Sequence, residues 1–181
     1  MDGKANIITP AMAQYFRMVL SYDDKTGELR WKKHPSIRHQ RFNGKVAGSV
    51  NKQGYVVVSL YNYPFRAHRV IWAMINNGIS DNEYIDHING VKPDNRISNL
   101  RLATEAENHQ NQKLCKRNTS GVKGVIWEAS RGLWRCQIMK NRKSYLIGRF
   151  KDIESAKKAM EKARASLHGN FANNGEFKDV D

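Results

Sequence analysis

The sequence predicts an α+β fold, with short antiparallel strands in several small sheets and helices set between and after them. Three stretches carry that expectation. Residues 45–66 hold β-branched and aromatic runs split by Asn51-Lys52-Gln53-Gly54, the pattern of strands joined by a turn. Residues 84–112, YIDHINGVKPDNRISNLRLATEAENHQNQ, read as strand, polar loop, strand and capped helix. Residues 121–168 read as three short strands parted by turns, then one helix with alanines along its apolar stripe.

The elements follow in order. Thr9-Pro10 supplies a helix cap and a first-turn proline, and Met12, Tyr15, Phe16, Val19 and Leu20 recur behind it at helical spacing. Residues 22–33 predict a hairpin turning at Lys25-Thr26-Gly27. Residues 32–45, KKHPSIRHQRFNGK, hold five Lys or Arg and no acid; that composition suits a solvated loop or a loop touching phosphates. RAHRVIWAMINN, residues 66–77, predicts a helix with Val70, Ile71, Met74 and Ile75 on one side, closed by Asn76-Asn77-Gly78. His68, near its start, reads as a histidine packed beneath a site, with direct DNA contact as the other reading.

Residues 113–120, KLCKRNTS, are basic and aperiodic and read as a linker. The strands beyond it turn at Arg131-Gly132 and Asn141-Arg142-Lys143. In LWRCQIMK, alternation sends Trp134, Cys136 and Ile138 toward the helix and Arg135, Gln137 and Met139 to the free face. The helix stripe is Ile153, Ala156, Ala159, Met160, Ala163 and Leu167, and His168-Gly169 ends it.

A chain of 181 residues suits one medium domain or two small ones, and 40% apolar with 27% charged residues is a globular composition. The net charge is +14, which favours a nucleic acid partner over an anionic membrane in a chain without a basic amphipathic, Trp-flanked helix. Residues 113–181 carry 16 basic and 7 acidic groups against 15 and 10 in residues 1–112, so the excess lies downstream. No run reaches a membrane span and MDGKANIITP lacks the order of a signal peptide, which makes the cytoplasm the expected location. Cys115 and Cys136, with no CxxC, make neither a disulfide framework nor a zinc site.

The stretch 84–112 fits phosphodiester hydrolysis. That reaction needs an activated water, a base, and positive charge on the developing phosphorane and leaving oxygen. Asp86 offers a carboxylate for a Mg²⁺-like ion and His87 a base of near-neutral pKa, on opposite faces of a short strand, with Asn89-Gly90 to bend its end. Thr104-x-x-Glu107 is a capping box, so Asn108 lies at the end of a first helical turn with an amide oxygen to offer. Asn99, ahead of the strand Leu100-Arg101-Leu102, fits two tasks: fixing the loop, or hydrogen-bonding His87 and setting its tautomer.

The pattern DHINGxxxDNRxxNLRxxTxxEN resembles the HNH endonucleases, a ββα-metal family, and in particular their phage and intron-encoded homing branch. The resemblance implies that His87 and Asn99 are the catalytic positions, His87 as general base and Asn99 as the central asparagine. It implies Asp86 and Asn108 as ligands of one divalent metal ion, Mg²⁺ or in its place Mn²⁺. The intervals of 13 residues from Asp86 to Asn99 and 22 to Asn108 fit that branch. Many members have His where Asn108 stands, and His109 follows at once, so His109 is the runner-up ligand. The structural zinc cysteines of some members are absent.

Residues 120–174 are similar to the plant APETALA/ethylene-response-factor DNA-binding domain, through SGVKGV, the GLW turn, LIGRF, the alanine-spaced helix and the closing GNFAN. In that family the sheet lies in the major groove, which makes Lys123, Arg131, Arg135, Gln137, Lys140 and Arg142 the candidate DNA contacts. Ile126 stands where the plant domains have an Arg, so their target preference does not carry over.

The expected organisation is therefore a nuclease domain at 1–112 with a ββα-metal core at 84–112 and N-terminal hairpins and helices. A linker at 113–120 follows, then a three-stranded sheet packed on one helix at 121–176, and a tail at 177–181. The expected function is site-directed, metal-dependent DNA cleavage of the homing type, as a nickase or double-strand cutter, acting on double-stranded DNA as monomer or homodimer in a phage-infected or bacterial cell. A DNA-binding regulator with a vestigial site and a weakly specific host-DNA nuclease are the alternatives.

Overall fold

A computed structural model describes residues 7–80, 83–112, 114–115, 117–141 and 143–175. The chain divides into two compact units between Thr104 and Glu105, eight residues before the division expected at 112. Arg142 and the 177–181 tail lie outside the described residues. Among those described, no helix is long and apolar enough to cross a membrane.

The first unit opens with helix α1 (Pro10–Val19), whose Thr9 side chain accepts from the Met12 amide at 3.3 Å. Strands β1 (Leu20–Asp23) and β2 (Glu28–Trp31) pair antiparallel around the expected turn. Gly27 in that turn has φ +76, and a Cβ there would lie 2.6 Å from the Arg96 backbone nitrogen, so glycine is what lets the hairpin touch the 89–99 loop. A 3-10 helix (Ile37–Phe42) occupies the basic loop.

Strands β3 (Ser49–Val50), β4 (Val56–Leu60) and β5 (Tyr63–Arg66) form one sheet in that order. Helix α2 (Ala67–Asn76) follows and ends on Asn77 in the left-handed region, φ 61. The core joins Phe16, Leu20, Leu29, Val58, Val70 and Ile71 to Ile85 and Leu100. These last two belong to β6 (Tyr84–His87) and β7 (Leu100–Ala103), an antiparallel pair anchored on the core by its apolar positions.

The second unit opens with α3 (Glu105–Gln110), which starts one residue after Thr104. Strands β8 (Val125–Glu128), β9 (Leu133–Lys140) and β10 (Lys143–Phe150) form a meander ordered β10-β9-β8. Helix α4 (Ile153–His168) covers one face, capped by Asp152, which accepts from the Ser155 amide at 2.7 Å. Trp134, Cys136 and Ile138 meet Ala156 and Met160 in the core, as the alternation predicts. The Cys136 thiol sits in that core, where burial raises its pKa, while Cys115 is exposed. The helix stripe also buries Arg164, which a hydrophobic pattern does not reveal. Its guanidinium donates to Asn174 Oδ1 at 2.5 Å and to the Lys123 carbonyl, tying the closing segment and the first loop to the helix.

Candidate functional site

The β6–β7 ladder sets Asp86 opposite Arg101 and His87 opposite Leu100. Both Asp86 and His87 are buried. Arg101 Nε and Nη2 donate to the same Asp86 oxygen, Oδ2, at 2.9 and 2.7 Å. A carboxylate removed from water needs such a charge-assisted partner, so any cation that reaches Asp86 does so beside Arg101.

On the other face, His87 Nε2 lies 3.2 Å from Asn95 Oδ1. An amide oxygen can only accept, which assigns the proton to Nε2 and leaves the basic lone pair on Nδ1. Burial lowers the pKa of His87 most; the Asn95 bond and the charges of Asp86 and Asp94 raise it, and Lys92 lowers it. The net direction is down, so the ring is neutral at pH 7 and able to take a proton.

The loop between the strands is held by asparagines. Asn99 Oδ1 accepts from the Asn89 amide at 3.0 Å and Asn99 Nδ2 donates to the Asp94 carbonyl at 2.8 Å, so one side chain staples both limbs. Of the two tasks open to Asn99, fixing the loop is therefore the one it performs; the contact to His87 belongs to Asn95. Asn89 Nδ2 donates to Asp94 Oδ2, and Arg96 makes a two-point pair with the same carboxylate. Arg96 holds the Asp94 carboxyl below the usual range. From the first hairpin, the Tyr22 hydroxyl donates to the Asn95 carbonyl at 3.3 Å and accepts from the Ile97 amide at 2.8 Å. Beside Gly27, this contact sets the height of Asn95 and so of the His87 partner.

His68 packs its ring edge-to-face on His87, with centroids 4.8 Å apart, and Tyr55 lies 5.4 Å from His68. Its Nδ1 is buried without a hydrogen-bond partner. Burial first, then the charges of His87, Arg66 and Arg69, hold its pKa well below the usual value. It is the packing histidine of the two readings. Arg66 and Lys92 lie over the Tyr55 ring at 4.4 and 4.5 Å, giving this region of the unit positive charge.

In the second unit Asn108 is half-buried on α3 and His109 is exposed, with its Nδ1 2.9 Å from Gln112 Nε2. On the sheet, Arg135, Gln137 and Met139 lie on the face away from α4, in register with Arg149, Leu146 and Ser144. Ile126, Leu146 and Met139 are exposed there among the polar groups. Arg131 and Arg149 share Glu128, at 3.3 and 2.6 Å. Lys140 is half-buried. Lys123 departs from the groove-facing expectation: its Nζ donates to the carbonyls of Gln110 and Gln112 at 2.8 and 2.6 Å. Burial, then Arg164, lowers its pKa to about 8. Lys123 closes the end of α3, where unpaired carbonyls attract a cation.

Sequence reasoning missed Asn95, Arg101, Tyr22 and Gly27. The first two stand inside the DHINGxxxDNRxxNLR pattern and are reachable once strand register is known; Tyr22 and Gly27 act across more than 65 residues, and although Gly27 reads as a turn residue, no local signal marks the contact of either with the loop.

A family described as HNH endonuclease matches residues 65–110, the segment from the end of β5 through α3. Protein 3.8 of Escherichia phage T7 is 37% identical over 107 residues, covering 59% of this chain and 88% of that protein. The uncharacterised HNH endonuclease L560 of Acanthamoeba polyphaga mimivirus is 32% identical over 124 residues, 68% of this chain and 63% of its own. Among solved structures, the HNH homing endonuclease I-HmuI, studied for DNA binding and cleavage, aligns over 51% of each chain at 28% identity with a TM-score of 0.38. With 88% of the T7 protein spanned at 37% identity, this chain belongs with protein 3.8 of phage T7, and its residues 65–110, through β6, β7 and α3, form an HNH endonuclease domain.

Proposed function

We propose that the chain is a site-directed, metal-dependent DNA endonuclease of the homing type. In this reading His87 is the general base, Asp86 and Asn108 hold one divalent cation, and the β8–β10 sheet meets double-stranded DNA. The observation that carries it is the setting of His87: a buried, neutral imidazole whose Nε2 faces an amide oxygen, beside a buried carboxylate on the adjacent residue. A histidine present only for packing has no need of an adjacent buried carboxylate or of a loop stapled by three asparagines.

The donor set fits a hard ion. A carboxylate from Asp86 and an amide oxygen from Asn108 are ligands that Mg²⁺ or Mn²⁺ accepts. Among the described residues no three His, Cys, Asp or Glu side chains gather as a cage, and Mg²⁺ sites commonly rely on a few protein oxygens with water and phosphate for the rest. Bound there, the ion supplies positive charge for the phosphorane and leaving oxygen. The family match spans both proposed ligands, and the His109 ring is engaged with Gln112, which favours Asn108 over its neighbour.

The chain's own residues do the rest. His87 takes the proton of the attacking water, Asn95 keeps its tautomer, and Arg101 balances Asp86 before the ion arrives. The products are a 5′-phosphate and a 3′-hydroxyl, following the family. Arg131, Arg135, Gln137 and Lys140 contact DNA from the sheet, where Arg and Gln match base edges; Arg142 completes the candidate set. Lys123 is left out, since its ammonium serves α3. The domain reading keeps 1–112 as nuclease, 113–120 as linker and 121–176 as DNA-binding domain.

The test is the full chain with supercoiled plasmid in Mg²⁺ or EDTA. Wild type is expected to nick or linearise it in Mg²⁺ alone, and His87→Ala to cut about 10²- to 10⁴-fold more slowly while binding DNA within a few-fold. Cutting by His87→Ala at near the wild-type rate would overturn the base; a gel shift without nicking would make the chain a DNA-binding regulator.

A further inference from the structure

The loop 32–45 remains unassigned, and it combines three properties. Ile37, which opens its 3-10 helix, is 88% exposed, which leaves nearly all of its apolar side chain in water. The loop around it is nonetheless fully built. His34 packs on Trp31 with centroids 4.4 Å apart and touches Phe42, while His39 closes on both His34 and Phe42. The His34 amide donates to Asn43 Oδ1 at 2.8 Å, Gln40 Nε2 donates to the His34 carbonyl at 2.6 Å, and Asn43 Nδ2 donates to Gln40 Oε1 at 2.7 Å. Its base is tied to β2 by the Gly44 amide on the Trp31 carbonyl and the Trp31 amide on the Lys45 carbonyl.

The third property is charge. Five Lys or Arg and no acid fall in these fourteen positions, and Lys33, Arg38, Arg41 and Lys45 are exposed. Arg41 and Lys45 lie toward the Phe42 ring, at 5.1 and 6.0 Å, so an aromatic floor lies under part of the cationic rim. An exposed isoleucine on a loop whose charged side chains are all cations is a poor match for a protein interface, whose buried centre is depleted in charge. It matches a nucleic acid duplex, where phosphates meet the cations and an apolar side chain can enter between base pairs.

We propose that loop 32–45 grips duplex DNA, with Arg38 and Arg41 on backbone phosphates and Ile37 as an apolar wedge that parts a base step. The inference rests on the nuclease reading for the identity of the polyanion. It goes beyond that reading by giving the first unit a DNA contact of its own that deforms the substrate. Duplex DNA is chosen over RNA because wedge insertion bends and unstacks a B-form minor groove, whereas RNA is read chiefly through unpaired bases.

The experiment uses the full chain in EDTA, so that gripping is measured without cutting. A plasmid relaxed by a type IB topoisomerase with the protein bound, then deproteinised, reads unstacking as a changed linking number. Anisotropy on a mixed-sequence 40-base-pair duplex across a NaCl series reads affinity. Wild type is expected to shift the topoisomers; Ile37→Ser removes the shift and weakens binding about 10-fold. Arg38→Ala and Arg41→Ala each lower the salt slope by about 1. Ile37 is so exposed that Ile37→Ser leaves the fold intact, and a thermal melt checks this. The proposal is overturned if Ile37→Ser leaves both readouts at wild-type level, if the two arginine variants leave the slope unchanged, or if wild type binds an RNA hairpin and not the duplex. Cleavage in Mg²⁺ by the same samples is scored separately, so an uncleaved but distorted plasmid would count against the nuclease reading alone.

Discussion

Between Ile88 and Asn99 the chain buries three asparagines, hydrogen-bonded to the His87 ring, to backbone groups and to the Asp94 carboxylate. The outer face of the β8–β10 sheet instead keeps Arg135, Gln137, Met139 and Arg149 at the surface, with Glu128 as the acid that two of its arginines share. In the proposed function the two regions solve different problems. A base must hold one proton on one nitrogen at one place, and buried, hydrogen-bonded amides give that rigidity. A surface that meets a polyanion needs charge in water, where it screens and reorients at little cost. Substitutions should therefore separate: in the loop they cost stability and rate together, and on the sheet they cost affinity alone.

The largest effect is expected at Asn99. Asn99→Ala strips partners from the Asn89 amide and the Asp94 carbonyl in a buried loop, and each orphan costs about 1–3 kcal/mol. Thermal unfolding should move down by many degrees and cleavage should vanish with it. Arg135→Ala, measured beside it, should leave the melting temperature in place and weaken DNA binding by the equivalent of about 1–3 kcal/mol. If Arg135→Ala destabilises the fold as much as Asn99→Ala, the separation fails.

Next in size is a change that never touches the site. Gly27→Ala puts a Cβ against the Asn95–Arg96 backbone in a left-handed turn, so the hairpin or the loop must shift and Asn95 with it. Loss of a residue that orients a site ligand commonly costs about 10- to 100-fold. We expect kcat to fall in that range while DNA affinity in EDTA stays put. An unchanged kcat would mean that the Asn95 contact does not orient His87.

Lys123 tests the comparison from the other side. It was expected among the DNA contacts, yet it behaves like the buried loop, with its ammonium on two backbone carbonyls. Lys123→Met should lower the melting temperature and leave the salt dependence of binding unchanged, the reverse of Arg135→Ala. A drop in salt slope by about 1 would return Lys123 to the DNA surface.

What was legible in the sequence follows the range of the interaction. The capped helix at Thr9, the Lys25-Thr26-Gly27 turn and the three-strand meander depend on neighbours within a few residues, and they stand where periodicity and turn chemistry put them. Asp86 and His87 were legible because adjacent strand residues face apart, and they do, toward Arg101 and Asn95. Asn95 was hidden because one polar loop offers four asparagines or aspartates of similar type, and only the fold says which reaches the ring. Arg164 was hidden for another reason. A long cation on a helix reads as solvated, and it is the carbonyl of Lys123 and the Asn174 side chain that make its burial tolerable.

The smallest effect is one of pH, and it divides the regions by the pH window in which stability is lost. His68 and His87 both have pKa values below the free-histidine value, chiefly through burial. As pH falls through about 6.5, the unfolded chain takes up protons that the folded unit refuses, so the unfolded state binds more protons and stability falls on acidification. On the sheet, Glu128 has a lowered pKa, its arginine partners being the cause, and its contribution is lost only as pH drops through the carboxylate range. Acidification from pH 7 to 5.5 should therefore weaken the first unit through two buried histidines, and the second through His168 alone, whose pKa burial also lowers. His68→Phe keeps an aromatic ring in the place of one that must stay neutral, and should flatten that slope without removing cleavage. A melting temperature that changes equally with pH in wild type and His68→Phe would mean that the buried pair does not set the acid sensitivity of the unit that holds the site.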